Sequence, residues 1–332
     1  MFYVYPLGDK KHGKILPREE VLFTLKQNPN AMREMEELGN SILSKNRYVK
    51  VPCRKCFACR LNYSAEWATR IELECKKSDH NYFLTLTYND ENLPKDGSLH
   101  PEDVRKFINS LRKEYERKGH TGIKYFYCGE YGELGRPHYH MILMNCPLDL
   151  EQFYSPKIDS NYKEHWKSHE LEWYWAIPIA GTKTKRISMG FVDVAYEEWS
   201  DAAYVARYCM KKARKEIVEE LGKHPEFVAM SKGIGMEWFE DHKDQIYEND
   251  EIIMKTIKGN TGSYRPPKAF DRKYEEQHPE KFQKIKKERI KQSKIANEVR
   301  RKLTTYTDME QLIMAAENVT MKAKMLPREA VE

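Results

Sequence analysis

The sequence lacks several features that would assign it to common classes of protein. It has no apolar run of about 18 residues, so no membrane-spanning helix is predicted. Its first residues, MFYVYPLGDKKHGK, lack the basic and then apolar order of a secretory signal peptide. It also lacks a Walker lysine motif, so no helicase domain is predicted, and no internal repeat is apparent.

The residues that are present include enough apolar side chains for a real core. The chain has 332 residues, of which 40% are hydrophobic and 33% charged, and this excludes wholesale disorder. That length corresponds to one large domain with additions, or to two domains. Seven cysteines, three of them between positions 53 and 59, do not resemble a disulfide framework. They indicate an intracellular protein with reduced thiols.

Charge of one sign is scarce overall but is concentrated near the C-terminus. The chain carries 57 Lys and Arg against 51 Asp and Glu, a net charge of +6. Residues 272–302 hold twelve Lys and Arg against five Glu, so they carry +7, and the remainder, 45 against 46, carries −1. This basic tail indicates either an anionic polymer as partner or a solvated helix face, and the sequence leaves both open.

The hydrophobic pattern predicts an α+β fold with a central antiparallel β-sheet and flanking helices. Alternating apolar and aromatic residues predict strands at 81–88, 123–128, 138–144 and 191–196. Apolar residues at three- and four-residue spacing predict helices at 60–77, 101–118 and 200–220, and a basic helix in the tail. The first 50 residues are predicted to be loosely helical, and residues 145–190 have no assignable pattern.

The strongest chemical feature is the run RPHYHMIL at 136–143. On a strand alternate side chains share a face, so His138 and His140 point the same way and can bind one divalent metal. Glu130, eight residues before His138, is the predicted oxygen ligand, and Glu133 in the glycine-rich loop competes with it. Such a set leaves coordination positions open, which suits Mg²⁺ or Mn²⁺ acting as a Lewis acid on a phosphoryl oxygen. A closed structural zinc site would need a fourth protein ligand.

The second feature is a pair of tyrosines. Tyr204 and Tyr208 are four residues apart, so on a helix they share one face, and Lys211 lies on that same face. The spacing alone also fits an aromatic stripe packed in a core. Residues 207–215 are strongly cationic, however, and a phenol near cations loses its proton more easily. A tyrosinate beside a metal-bound phosphate is a competent nucleophile for a phosphodiester.

The third feature is a cysteine cluster. Cys53, Cys56 and Cys59 have the spacing of metal ligands, and three thiolates suit Zn²⁺. The local sequence supplies no fourth ligand; Cys75 and His80 are candidates, although Cys75 also falls on an apolar helix face. An iron–sulfur cluster would likewise lack its fourth cysteine. Structural zinc, another metal and reduced thiols without a metal all stay open.

Together these motifs resemble those of the HUH endonucleases. FLTLTY at 83–88 looks like the first strand motif of that superfamily, HYH at 138–140 like its metal motif, and the two tyrosines like the nucleophile motif of its two-tyrosine class. PCRKCFACR upstream, with MSKGIG and RPPKAFDRKY downstream, resembles the replication initiators of small single-stranded DNA phages, in particular the gokushovirus branch of the microviruses. The resemblance runs from about residue 53 to residue 272, and the combination is specific although each motif alone is not.

The resemblance implies a metal-dependent, site-specific endonuclease and strand transferase that initiates rolling-circle DNA replication. It implies that His138, His140 and Glu130 bind the metal. Tyr208 or Tyr204 would attack a phosphodiester of single-stranded DNA at the replication origin. The products would be a 5′-phosphotyrosine and a free 3′-hydroxyl that primes synthesis. After one round the other tyrosine would cut the regenerated origin, and the released strand would be rejoined into a circle.

The resemblance also implies a role for Lys211, a set of partners and a location. Lys211 matches a lysine on the nucleophile helix of the family, which would orient the phosphate or stabilise its charge. The partners would be single-stranded origin DNA and the host replication machinery, including a helicase and a polymerase. The protein would act in the cytoplasm of the bacterial host cell, away from any membrane.

We therefore predict five segments along the chain. They are an N-terminal segment, a Cys-rich entry segment with a helix, an HUH nuclease domain, an extension and a basic helical tail, at 1–50, 51–80, 81–220, 221–271 and 272–332. One alternative is a non-catalytic, zinc-stabilised nucleic-acid-binding regulator, which would bind without cleaving and would tolerate replacement of the histidines. A transposase or plasmid relaxase of the same superfamily is the other alternative.

Overall fold

The structure is a computed structural model that describes residues 2–7, 47–52, 57–132, 134–159, 162–182, 185–207, 222–255 and 260–306, with short pieces between 310 and 321. Its strands are β1 (Phe2–Leu7), β2 (Arg47–Pro52), β3 (Tyr82–Tyr88), β4 (Lys124–Tyr131), β5 (Pro137–Met144), β6 (Phe153–Ile158), β7 (Glu164–Ser168), β8 (Ala176–Pro178), β9 (Arg186–Ser188), β10 (Gly190–Tyr196), β11 (Phe227–Met230), β12 (Ile252–Lys255) and β13 (Thr261–Tyr264). Its helices are α1 (Phe57–Cys75), α2 (Pro101–Arg117), α3 (His169–Tyr174), α4 (Trp199–Arg207), α5 (Met236–Asn249), α6 (Lys268–Gln277) and α7 (Pro279–Leu303). No described helix combines the length and the apolar character needed to cross a membrane.

The chain divides into two compact units. One comprises Met1–Asn62 with Glu280–Arg328, and the other comprises Tyr63–Pro279 with Glu329–Glu332. In the first unit β1 and β2 pair as antiparallel strands, so the prediction of loosely helical structure is wrong for the described part of the first 50 residues. The physical reason is composition, because FYVYPL and RYVKVP are rich in aromatic and β-branched residues, which favour strands.

A seven-stranded sheet forms the frame of the second unit. Its strands follow the order β11-β4-β5-β3-β10-β7-β6, and every pair of neighbours is antiparallel. Helices pack on both faces of this sheet, so the predicted α+β fold with a central antiparallel sheet is confirmed. β5, which carries the two histidines, lies between β4 and β3.

Helix α2 packs on one face of the sheet, which we call the α2 face. Pro101 occupies the first turn, where a missing N–H costs nothing, and Glu102 and Asp103 complement the positive end of the helix dipole. The buried side chains recur at helical spacing and meet the inward side chains of β3 and β5: Val104, Phe107, Ile108, Leu111 and Tyr115 from the helix, and Leu84, Leu86, Tyr139, Met141 and Leu143 from the strands. Each buried side chain of this kind stabilises the fold by roughly 1.5–3 kcal/mol.

The opposite face, which we call the histidine face, carries the alternate residues of the same strands. Over part of it, α1 and α4 bury an apolar cluster that includes Ile71 and Val205 from the helices and Phe83, Phe126 and Ile142 from the strands. His138 and His140 share the face of Ile142 because side chains alternate along a strand with a period of two. The packing of this apolar cluster therefore determines which face of the sheet carries the histidines.

Several observed boundaries differ from the predicted ones. β4 continues to Tyr131, so Glu130 lies within the strand rather than where the strand enters the loop, and the connection to β5 shrinks to 132–136. The strand continues because its glycine-containing end still pairs with β5, which the local sequence conceals. Residues 145–190 contain β6 to β9 and α3, elements too short to show a clear period. Of the predicted helix at 200–220, the structure describes α4, and 208–220 lies outside the described residues.

Gly190 allows β10 to approach β3 closely. Its φ is +152°, and a Cβ at this position would lie 2.0 Å from the carbonyl oxygen of Thr87. We expect Gly190→Ala to lower the free energy of unfolding by about 2–4 kcal/mol, because the two strands must separate. Urea-induced unfolding followed by circular dichroism measures this loss.

Gly181→Ala is the matched control for this prediction. Gly181 also has a positive φ, +78°, but among the described residues no atom lies within 4 Å of the position that a Cβ would take there. The control should therefore show only the backbone penalty, about 1 kcal/mol. Equal losses in the two variants would contradict the close-approach argument.

Candidate active site

Two neighbouring strands bring three metal-binding side chains together on the histidine face. Glu130 of β4 lies directly opposite His138 of β5, and His140 follows on the same face. Oε1 of Glu130 lies 2.9 Å from Nε2 of His138 and 2.9 Å from Nε2 of His140. Glu130 and His140 are buried, whereas the side chain of His138 is 19% exposed. The cluster, which we call the triad, is therefore reached from the side of His138.

Contacts at the second ring nitrogens orient both imidazoles. Nδ1 of His138 lies 3.3 Å from the carbonyl oxygen of Arg136. Because a carbonyl oxygen can only accept, this contact requires the proton on Nδ1 and leaves the Nε2 lone pair facing Glu130. Nδ1 of His140 lies 3.1 Å from Oγ1 of Thr85, and the same tautomer there directs the second Nε2 lone pair at the triad. Such outer contacts are what hold metal-binding histidines in position.

The triad fits a divalent cation. Two nitrogen lone pairs and a carboxylate oxygen converge, and a cation between them removes the repulsion among these electron pairs. The 2.9 Å N···O separations match adjacent ligands of an octahedral ion, which are about 3 Å apart when the bonds are about 2.1 Å long. Among the residues that the structure describes, this is the group of His, Cys, Asp and Glu side chains that meets metal-site geometry.

Tyr204 of α4 reaches the same cluster. Its hydroxyl donates to Oε1 of Glu130 at 3.4 Å, and its ring lies edge-on to His140 with 5.4 Å between centroids. Phe83 stacks on His140, at 5.6 Å and an interplanar angle of 14°, and its ring also contacts Tyr204 at 6.3 Å. The phenol is only half-buried. Of the two interpretations left open for the tyrosines, a core stripe or a site group, this geometry favours the site for Tyr204.

A buried ion pair anchors the start of α4. Asp201 accepts a hydrogen bond from the backbone N–H of Glu198 at 2.8 Å and pairs with the ammonium of Lys163. The same ammonium lies 5.5 Å from the centroid of the Phe83 ring. Asp201 and Tyr204 are three residues apart on one helix face. The pair that holds Asp201 therefore also restricts where Tyr204 can point.

The other predicted site residues lie outside the described residues, and their roles stay predictions: Tyr208, Lys211, Glu133, Cys53 and Cys56. Cys59 is half-buried near the start of α1. Cys75, a candidate fourth zinc ligand, packs in the apolar cluster of the histidine face. Burial raises the pKa of its thiol well above the usual value, which disfavours the thiolate that zinc binding needs.

Three residues near the triad were missed by reasoning from the sequence. Thr85 and Phe83 belong to FLTLTY, and its alternation identifies their common face, but only the pairing of β3 with β5 brings them to His140. Lys163 lies in the stretch without a clear pattern, and its ion pair spans 38 residues of sequence. Neither contact has a local signal, because each depends on chain segments that meet only in the folded protein.

Comparison with known proteins identifies the family. The family model for the replication-associated protein ORF2 matches residues 81–213, which include β3, the triad and α4. The replication-associated protein ORF2 of Spiroplasma virus 4 is 40% identical over 250 residues, which cover 72% of this chain and 73% of that protein. This chain belongs to the family of microvirus replication-associated proteins.

Two further replication-associated proteins are similar over much of the chain. VP4 of Bdellovibrio phage phiMH2K is 30% identical over 239 residues, which cover 70% of this chain and 69% of that protein. ORF4 of Chlamydia phage 1 is 27% identical over 210 residues, which cover 61% of this chain and 49% of that protein. No solved structure matches the chain. The resemblance to microvirus replication proteins is confirmed, and the family gives this chain a role in viral DNA replication.

The triad predicts divalent-metal binding by this replication-associated protein. We expect isothermal titration calorimetry to detect Mn²⁺ binding, and we expect Glu130→Gln, His138→Ala and His140→Ala each to weaken it at least about 10-fold, since each removes a ligand. His100→Ala is the matched control, because its ring nitrogen also lies beside a carboxylate, 3.1 Å from Asp96. Unchanged Mn²⁺ affinity in the three triad variants would refute the site.

A buried carboxylate at the entry to α4 predicts pH-dependent stability. Burial, followed by the negative charges of Glu72 and Asp201, raises the pKa of Glu197 from 4.5 to about 8. Between these two values the native state keeps a proton that the unfolded state has released, so stability should fall as the pH rises from 4.5 to about 8. The fall should be complete above the raised pKa.

Glu197→Gln removes this titration while keeping the size of the side chain. Oε1 of Glu197 is buried and has no hydrogen-bond partner among the described residues, so the neutral amide should be tolerated. Urea unfolding at about pH 5 and about pH 9 should show a smaller loss of stability for the variant than for the wild type. An unchanged difference between the two pH values would mean that another group titrates.

Proposed function

We propose that the protein is a metal-dependent, site-specific endonuclease and strand transferase of the HUH type, which nicks single-stranded DNA at the replication origin and starts rolling-circle replication. One oxygen atom carries the proposal. Oε1 of Glu130 contacts Nε2 of both triad histidines and the hydroxyl of Tyr204. A nucleophile and a metal site so close together suit phosphodiester chemistry, and a regulator that only binds nucleic acid has no need of them.

The proposed cleavage is an exchange of one phosphodiester for another. The triad would hold Mg²⁺ or Mn²⁺, which when bound supplies a Lewis acid to the scissile phosphate. The phenol oxygen of Tyr204 or Tyr208 would form a bond to phosphorus as the bond from phosphorus to the 3′-oxygen breaks. The phenol loses its proton and the departing 3′-oxygen gains one, so the products are a 5′-phosphotyrosine and a 3′-hydroxyl. Because the bonds exchanged are equivalent, the step needs no nucleotide cofactor.

The described residues also account for how the nucleophile would be held ready. The ring of Tyr204 is bounded by His140 and Phe83, and its helix is anchored through Asp201 and Lys163. A nucleophile positioned before the substrate binds loses less entropy on reaching the reactive geometry. Lys163 and Asp201 would thus act as positioning residues, since they reach the reacting atoms only through α4.

The rest of the proposal follows from the family resemblance. Tyr208 would cut the regenerated origin in the second step if Tyr204 acts in the first, or the reverse, and Lys211 would stabilise charge at the phosphate. A structural Zn²⁺ would be held by Cys53, Cys56 and Cys59. The protein would work in the cytoplasm of the bacterial host, with single-stranded origin DNA and the host helicase and polymerase as partners.

The nucleophile assignment predicts a covalent adduct. The protein is incubated with Mn²⁺ and an origin-bearing single strand labelled at its 3′ end, and adducts are separated on denaturing gels. The wild type should yield a protein–DNA adduct, because the labelled fragment keeps the 5′-phosphate that joins the tyrosine. The Tyr204→Phe/Tyr208→Phe double variant should yield none, and each single variant should form an adduct without releasing a rejoined circle.

Tyr63→Phe is the control, since Tyr63 is an exposed tyrosine of α1, a helix of the histidine face, but lies outside the site. It should leave the adduct yield unchanged. An intact adduct in the double variant would sink the nucleophile assignment. Binding without any adduct, together with indifference to His138→Ala, would favour the zinc-stabilised regulator. Adducts without circle formation in the wild type would favour a transposase or relaxase.

A further inference from the structure

Beyond the triad, the histidine face continues as an open strip. In the sheet register His138 lies opposite Thr87 of β3, and Thr87 lies opposite Phe191 of β10. These three residues form a row across neighbouring strands, so their side chains share one face. With strands about 4.8 Å apart, Phe191 stands about 10 Å from His138. We call the row from Thr87 to Phe191, together with Lys167 of β7, the open strip.

Phe191 differs from the other aromatic side chains of this face in its exposure. Phe83 and Phe126 are buried under the helices, whereas Phe191 is 52% exposed. A single exposed aromatic residue is ordinary on a protein surface. Phe191 is distinguished by its neighbours, because the ammonium of Lys167 lies over its ring, 4.6 Å from the centroid. An exposed ring and a cation therefore stand side by side in line with the triad.

The charge of Lys167 is available to an anion. Among the residues that the structure describes, no carboxylate lies within 4.0 Å of its ammonium. Asp193, its partner in the sheet register, is held instead by Lys157 at 3.1 Å and by His165 at 3.2 Å. Burial opposes ionisation of Asp193, but these two contacts hold its pKa below the usual value. The carboxylate nearest in register is therefore already neutralised by other cations.

We propose that the open strip binds a nucleotide of single-stranded DNA beside the scissile phosphate, with its base stacked on Phe191 and its phosphate on Lys167. This inference rests on the proposed function and deepens it by naming a path for the substrate strand. An exposed ring offers a base a stacking surface, and a lysine beside it complements the backbone charge. In a duplex the base faces are already stacked on each other, so the arrangement selects an unpaired strand. The path continues from the triad without leaving the histidine face.

The chain offers a matched control for this pair. Trp173 of α3 is also exposed, at 43%, and a cation also lies over its ring, since Cζ of Arg186 is 5.0 Å from the centroid. Helix α3 packs against the α2 face through Leu171, so this second pair lies away from the open strip. Trp173→Ala therefore removes the same kind of feature from a surface that the proposal does not use.

The test measures binding of the full chain by fluorescence anisotropy in EDTA, where no cleavage takes place. The probes are a labelled single-stranded thymidine oligomer and an abasic oligomer of the same length, which keeps the phosphates and lacks the bases. Phe191→Ala should weaken binding of the thymidine oligomer on the order of 10- to 100-fold and leave the abasic oligomer unchanged. Phe191→Trp should restore binding, and Trp173→Ala should have no effect on either probe.

The cation is tested by the salt dependence of the same binding. Lys167→Met should reduce the slope of log affinity against log salt by about 0.7 for a single strand, which corresponds to one lost phosphate contact. The proposal is overturned if Phe191→Ala binds both probes like the wild type, if it weakens both equally, or if Trp173→Ala gives the same loss. Because Phe191 is exposed, thermal unfolding should be unchanged, and Phe191→Trp provides the answer if the alanine variant does not fold.

The two proposals fail in different ways. If the nucleophile assignment is wrong, the Tyr204→Phe/Tyr208→Phe variant still forms the adduct, whatever Phe191 does in binding. If the open strip is wrong, Phe191→Ala binds and cleaves like the wild type while the tyrosine variants lose the adduct. If the strip instead serves a protein partner, neither oligomer distinguishes Phe191→Ala from the wild type.

Discussion

The antiparallel register of β4, β5 and β3 is the constraint on which the rest of the structure depends. It places Glu130 opposite His138 and Thr85 opposite His140, so one set of backbone hydrogen bonds supplies both the carboxylate and the contact that orients an imidazole. A slip of one residue would move these side chains to opposite faces. The apolar residues of the same strands prevent such a slip, because it would also expose the core on both faces of the sheet.

The histidine face combines a packed part and an open part, and the site lies where they meet. The apolar cluster under α1 and α4 gives the triad rigid support, and the buried pair of Asp201 with Lys163 ties α4 to the region before β7. Tyr204 is held at the border of the cluster, with its hydroxyl at the triad. From there Thr87 and Phe191 lead across uncovered sheet. A polymeric substrate needs this combination, because the reacting groups must be rigid while the strand must be able to enter.

Much of the fold could be predicted from the sequence where a segment carries its own pattern. The stripe of α2 and the alternation of FLTLTY and HYHMILM correspond to the observed buried faces. The short strands between 145 and 190 could not be predicted, since each has too few residues to establish a period. The strands of the first 50 residues were misassigned because β1 and β2 become recognisable as strands only through their pairing with each other. The end of β4 was placed too early for the same reason, since its last residues are strand only in pairing with β5.

The residue types by themselves determined the chemistry of the site: two histidines on one strand face, a carboxylate upstream and tyrosines on a helix can bind a cation and attack a phosphate. Only the tertiary structure decided which atoms meet. Oε1 of Glu130 became the common contact of His138, His140 and Tyr204 because two strands and a distant helix converge there. Spacing along a chain specifies which side chains share a face of one element. The distances between elements depend on register and packing, which are properties of the whole fold.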